Sequence, residues 1–424
     1  SAPYIRSIQQ NKNLVNAPDS SNNFDFSIHI KHLHPFTRFF LPDLYIADNS
    51  QFEGAFRPKQ ETIELNGQTD QLMYRNNLFD TIKIRSYAQN DVLITNLTAN
   101  DIHLSNNLRI HNFNLHTEGA DDSLHTFVNW SDGEGFLGTS QIGSLIQFNK
   151  NAQTNNPITQ IKLHPSFVTI DKKKWSFQKA VFQIDTSSIE LLDDFYIHHA
   201  NRFLNVHGTL SENPEDTLLV RLNQFDLGNV NRFFKKGRFH LEGIIGGYAK
   251  FSRLKTKPVF LSDIQIKNFN FNNHELGTFL VSSQWQKDQK SILFDAHNEY
   301  EDKQNISLKG TYLPEKGNVD FSIQTEELTL KLLGPLLDKG FSDFEGYVSG
   351  DADVNGTLKD PAFNGEFEMN GAGFTIDYLQ THYHYTHPLT IEDNNLILED
   401  ALVYDENDNT ARVDARINLN QIKD

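Results

Sequence analysis

The chain has 424 residues, a formal net charge of −17 and no cysteine. The missing thiols exclude disulfides, thiolate zinc sites and cysteine nucleophiles, and the acidic balance, with a pI of about 5.4, opposes binding to nucleic acid. Hydrophobic residues make up 38%, with 33 phenylalanines, yet mean hydropathy is −0.51, a pairing that fits much surface per residue, as in a solenoid or open sheet, better than a compact ball.

The opening SAPYIRS and the closing INLNQIKD read as abrupt ends of a longer protein, so a membrane anchor is expected outside this chain. No run approaches the roughly 18 apolar residues of a spanning helix, and no signal peptide opens the chain. FEGAF (Phe52–Phe56), followed by Ile63 and Leu65, reads as a strand with its partner. Leu218, Val220 and Leu222 alternate with polar residues. So do Ile306, Leu308, Gly310 and Tyr312, then Val319, Phe321 and Ile323, and finally Ala411, Val413, Ala415, Ile417 and Leu419. Period-two alternation gives each strand one apolar and one polar face. Short helical turns are expected only near Leu227–Phe234 and Leu330–Leu337. The chain is predicted to be all-β.

An internal repeat runs through the second half. EGIIGGYAKFSRLKTKPVF, from Glu242 to Phe260, aligns without gaps on EGYVSGDADVNGTLKDPAF, from Glu345 to Phe363; six of 19 positions are identical, at an offset of 103 residues. Upstream, VHGTL (Val206–Leu210) matches LKGTY (Leu308–Tyr312). A weaker copy starts at Phe52. The expected division is 1–203, 204–305 and 306–424, all parts of one continuous stacked structure. The glycines Gly346, Gly350, Gly356, Gly365 and Gly371 lie within alternating strands and no helical pattern follows them. A phosphate-cradling loop needs a helix N-terminus after its glycines, so these are read as bends, bulges and close approaches in a curved sheet.

Few residues suggest chemistry. THYHYTHP places His382 and His384 on one strand face with His387 nearby, a spacing that metal ligation can use. No third ligand is identifiable beside them in the sequence, and the reading is a polar strand face without metal. YDENDNT (Tyr404–Thr410) lacks the glycine and distal glutamate of a calcium loop and reads as a hairpin turn. Neither GxSxG nor HExxH occurs. Trp130, Trp175 and Trp285 are assigned to packing rather than to sugar platforms. The expectation is a protein without catalytic residues or cofactor.

The series Gly346, Gly350, Ala352, Val354, Gly356, Thr357, Leu358, Pro361, Phe363, Gly365 and Phe367, followed by Tyr378, Leu379, Thr381 and Tyr383, resembles the C-terminal periplasmic region of the TamB family, within the AsmA-like superfamily. Upstream stretches such as FLPDLYIADNSQFEGAF are similar to Bacteroidota-type members. The resemblance is strongest from Leu204 to Leu419. The chain departs from the pattern at Tyr404, Asp405, Asp408 and Asn409, where the family's turn glycine is missing.

The resemblance implies an elongated single sheet curled into an apolar groove, located in the periplasm of a Gram-negative bacterium. It implies an inner-membrane anchor N-terminal to this chain and a TamA-like outer-membrane barrel assembly factor as partner. It further implies phospholipid conduction between the membranes, assistance to outer-membrane protein assembly, or both. The alternation supports such a groove independently, since a single curled sheet leaves a trough that acyl chains fill at roughly 0.8 kcal/mol per buried methylene. In the first repeat the expected lining is Ile245, Ala249, Phe251, Phe260, Ile264 and Ile266. In the second it is Val348, Ala352, Val354 and Phe363, with Phe367, Met369, Phe374 and Ile376. Three other readings stand beside it: a closed, dry core made by the same residues, a scaffold that binds outer-membrane protein strands by β-augmentation, and a polysaccharide-binding β-solenoid.

Overall fold

The structure is a computed structural model. It describes residues 23–57, 62–89, 91–104, 109–131, 138–152, 154–170, 172–228, 231, 240–336, 340–407 and 409–418. Among them are 28 β-strands, all assigned to one antiparallel sheet. The all-β expectation holds. By contacts the chain divides into two units, Ser1–Ser211 and Glu212–Asp424.

The first unit opens with β1 (Phe24–Ile30). A helix of seven residues, α1 (His34–Phe40), and the short β2 (Leu44–Ile46) follow. Sequence periodicity gave no sign of α1. Pro35 lies in its first turn, where a missing N–H costs nothing, and Phe36, Phe39 and Phe40 are exposed on it, Phe39 by 81%. The meander then runs through β3 (Ser50–Arg57), β4 (Thr62–Tyr74), β5 (Asn77–Gln89) and β6 (Val92–His103). It continues through β7 (Arg109–Ala120), β8 (Ser123–Ser131) and β9 (Thr139–Lys150). Four short strands come next: β10 (Pro157–Leu163), β11 (Ser166–Ile170), β12 (Lys173–Phe177) and β13 (Ala180–Ile184). With β14 (Ile189–His199) and β15 (Arg202–Leu210) the unit closes. The short strands share the long ones: β9 pairs with β10 and β11, and β14 with β13 and β12. The predicted pairing after FEGAF is present, with Phe56 opposite Ile63 and Gly54 opposite Leu65.

The second unit begins with β16 (Leu218–Asp226), β17 (Leu241–Ser252), β18 (Val259–Phe271) and β19 (His274–Gln286). Next are β20 (Ser291–Glu299), β21 (Ile306–Leu313) and β22 (Asn318–Thr329). A 3-10 helix at Leu330–Leu336, where a helical turn was expected, leads into β23 (Phe341–Thr357) and β24 (Asp360–Ile376). The other expected turn, Leu227–Phe234, lies mostly outside the described residues. Along β24, β25 (Thr381–Tyr385) pairs with one half and β26 (Leu389–Glu392) with the other, and both pair with β27 (Asn395–Asp405). The last strand is β28 (Thr410–Asn418). Several connections are two-residue turns with both residues at positive φ: Asp121–Asp122, Asn272–Asn273 and Asp393–Asn394. Short polar side chains tolerate that conformation, and its twist matches the strands.

The repeat survives as register. Glu242 pairs with Asn270 and Ile244 with Lys267, a bulge reproduced 103 residues on by Glu345 with Gly373 and Tyr347 with Asn370. Asn268 and its counterpart Gly371 both take positive φ, as do Gln224 and Glu327.

Candidate functional site

Register partners on adjacent strands share one face of the sheet. One such row crosses the second unit: Leu222, Gly247, Ile264, Val281, Ala296 and Leu308. It continues as Ile323, Ala352, Gly365, Ile391, Leu396 and Ile417. Every member is apolar or glycine. The neighbouring row on the same face is Val220, Ala249, Ser262, Ser283 and Phe294, then Gly310, Phe321, Val354 and Phe363. Its two serines are buried and hydrogen-bond each other, Oγ to Oγ at 3.0 Å.

The predicted lining residues fall on this face. Ile264 and Ala352 are in the first row; Ala249, Val354 and Phe363 are in the second. Phe251 pairs with Phe260, Ile245 with Ile266, and Val348 with Met369. Phe367 lies opposite Gly350 and Leu389. Phe374 packs with Val348 and Met369 against the cluster Leu330, Ala372, Tyr385 and Ala401, and Ile376 pairs with Phe341 at the end of β23. Of the fourteen, Ala249, Ala352 and Val354 are buried, and the others are half-buried.

Phenylalanine rings are laid across the sheet by glycines. Phe26 faces Gly54, Phe52 faces Gly67, Phe321 faces Gly310 and Phe367 faces Gly350. A Cβ on any of these glycines would meet ring atoms at 2.5–2.9 Å. Phe294 and Phe321 meet edge to face over Gly310, centroids 5.7 Å apart. None of the described phenylalanines is fully buried. In closed cores phenylalanine is among the residues most often so.

The tryptophans divide. Trp175 is buried, as packing predicts, whereas Trp285 near the end of β19 is exposed although its register partner Ile292 is buried. YDENDNT is the predicted turn: Tyr404 pairs with Thr410, and the Asp405 carboxylate accepts from the backbone N–H groups of Asn407 and Asn409. The Asn409 side-chain amide, with those N–H groups, holds the Asp405 carboxyl below its usual range. Burial pushes the Tyr385 phenol up, and its hydroxyl donates to the Pro388 carbonyl at 2.9 Å.

On the opposite face the structure brings together what the sequence kept apart. Glu345 of β23 pairs with Gly373 of β24, and Gly373 with His384 of β25. Glu345 Oε1 lies 3.2 Å from His382 Nε2 and 3.4 Å from His384 Nδ1. The third carboxylate missing from the sequence reading is thus supplied by a residue 37 positions upstream of His382. Only the strand register reveals it. His387 is outside this group; its Nδ1 is buried without a hydrogen-bond partner.

No family model, no curated protein and no solved structure matches the chain.

Proposed function

We propose that this chain is a TamB-type bridge protein, whose apolar sheet face carries phospholipid acyl chains between the inner and outer membranes of a Gram-negative bacterium. On this reading it works in the periplasm with an outer-membrane barrel assembly factor, and the inner-membrane anchor belongs to a segment preceding this chain. The observation that carries the proposal is that Phe294, Phe321 and Phe363 stay half-buried in a row that lies beside one made wholly of apolar residues and glycine. An apolar face left partly in solvent is stabilised in water when something apolar lies on it. Headgroups would remain in solvent, and transfer of this kind breaks no covalent bond, so no catalytic residue is required. The Gly346–Phe367 series supplies the assignment to the TamB type.

The test is native mass spectrometry with lipid extraction on the purified chain, beside a Phe367→Glu variant whose folding is checked by circular dichroism. Phospholipid bound to the wild type and absent from a folded variant is the expected result. A wild type without lipid, and a variant that unfolds, would establish a closed core and replace this proposal with the β-augmentation scaffold.

A further inference from the structure

The Glu345, His382 and His384 cluster serves no purpose in an acyl-lined trough. Strand neighbours point to opposite faces. Phe344, Phe374 and Tyr385 pack in the apolar cluster, so Glu345, Gly373 and His384, which follow or precede them, project from the other side of the sheet. We infer that this cluster is a binding site for a divalent transition-metal ion of the zinc type, held by Glu345 Oε1, His382 Nε2 and His384 Nδ1.

Three observations carry it. The first is distance. The three ligand atoms lie within 4.8 Å of one another, with the two imidazole nitrogens 3.2 and 3.4 Å from the carboxylate oxygen. A tetrahedral ion with bonds of roughly 2.0–2.2 Å spaces its ligand atoms about 3.4 Å apart.

The second is the wiring of His382. Thr375 Oγ1 donates to Asp343 Oδ2 at 3.1 Å, so its lone pair accepts from His382 Nδ1 at 3.0 Å. In the neutral imidazole that hydrogen bond puts the proton on Nδ1, so the Nε2 lone pair faces the Glu345 carboxylate. Two lone pairs at that separation repel unless a metal ion or a second proton lies between them. An outer hydrogen bond that orients a ligating imidazole is a regular feature of metal sites.

The third is space. Gly373 lies in register between Glu345 and His384, and a Cβ there would fall 2.7 Å from both Glu345 Oε1 and His382 Nε2. Its missing side chain makes the cradle. The bulge at Glu345, flanked by Asp343 (φ 51) and Gly346 (φ 85), aims the carboxylate into it.

The repeat provides an internal control. In the first copy the same bulge carries Glu242, Asn270 and, on the third strand, Glu275. The bulge therefore forms without the histidine and without the cradle. Elsewhere, histidines pair singly with acids, as His207 with Asp194 and His297 with Asp295. Among the described residues this is the only group of three converging ligands. Imidazole with carboxylate favours zinc, cobalt, nickel or copper over magnesium or calcium. The ion would tie β23 to β25 across β24, with remaining coordination positions open to solvent.

The experiment is calorimetric titration of the metal-free chain with Zn2+, and with Co2+ read by visible absorption. One saturable site is expected, with Co2+ bands of low-symmetry four-coordination that Zn2+ displaces. Glu345→Gln, His384→Gln and Gly373→Ala should each weaken Zn2+ at least tenfold. Thr375→Val, which removes only the orienting hydrogen bond, should weaken it about tenfold. His207→Gln should change nothing. If one variant fails to fold by circular dichroism, the others and the wild-type Co2+ spectrum still decide. Absence of saturable binding would mean that a proton alone bridges Glu345 and His382. Equal affinity in Glu345→Gln, His384→Gln and His207→Gln would mean nonspecific histidine binding. Either result overturns the inference.

Discussion

Both units lay phenylalanines over glycines, Phe26 over Gly54 and Phe52 over Gly67 in the first as Phe321 over Gly310 in the second, but they build one pair of neighbouring rows from different materials. In the first, an apolar row runs Ala88, Leu93, Gly119, Leu124, Ile146, Ile161 and Phe182. Beside it on the same face is a row of hydroxyls: Ser86, Thr95, Thr117, Thr126 and Ser144. In the second unit the comparable row has only Ser262 and Ser283 before it turns to Phe294, Gly310, Phe321, Val354 and Phe363. Hydroxyls facing across strands satisfy each other, as Ser86 with Thr95 at 2.8 Å and Thr126 with Ser144 at 2.5 Å. They need no further partner and occupy little volume. Phenylalanines need room, and glycines provide it. Fold and the polarity of a face are therefore separable: alternation builds the sheet, and the choice of small polar or large apolar side chain sets the polarity of that face.

The largest effect is expected where volume is tightest. Gly310→Ala would drive a Cβ into the Asp320 carbonyl oxygen and to 2.6 Å from Phe321 Cδ1, and should cost about 3 kcal/mol by overpacking, read as a lower urea midpoint. An unchanged midpoint would show that the paired strands β21 and β22 shift apart to admit the methyl group, and would remove tight volume from the account of this row. In the first unit, Thr95→Val leaves the Ser86 hydroxyl unpaired and should cost about 1 kcal/mol. Adding Ser86→Ala should recover most of it, because removing both partners leaves nothing unsatisfied. A double variant as unstable as the two single losses summed would refute the paired-hydroxyl account.

The smallest effect concerns turns, where the units should agree. Ser187 and Ser188 donate backbone N–H bonds to the Asp185 carboxylate, and the Ser187 hydroxyl adds a third. The Ser187 N–H is the main reason its pKa lies below the usual value. Asp405 plays the same part in the second unit, with Asn409 as the main donor. A folded-state pKa below the unfolded one contributes stability above the unfolded value of about 4, lost as pH falls through the folded value. The difference in melting temperature between wild type and Asp185→Asn should thus shrink by a few degrees or less as pH drops below about 4, and Asp405→Asn should behave alike. A difference independent of pH in either variant would show that its turn does not depend on the charge.

Much of this was legible beforehand. Leu218, Val220 and Leu222, or Val319, Phe321 and Ile323, announce their strands because side chains alternate at every residue whatever the partner. The offset of 103 residues foretold matching strands, and the bulges at Glu242 and Glu345 proved to match as well. Helix α1 was missed because seven residues are too few to show a period, and its exposed phenylalanines give no amphipathic signal.

By itself the sequence determined the strands, their two faces and the absence of any thiol chemistry, since each depends on residues adjacent in the chain. Only the tertiary structure decided which residues become neighbours across strands. Alternation says which side of the sheet Glu345, His382 and His384 occupy. Their meeting over Gly373 depends on the register of three strands and on a bulge that shifts that register, and hydrogen-bonded pairing between distant segments leaves no mark on the local pattern of either one.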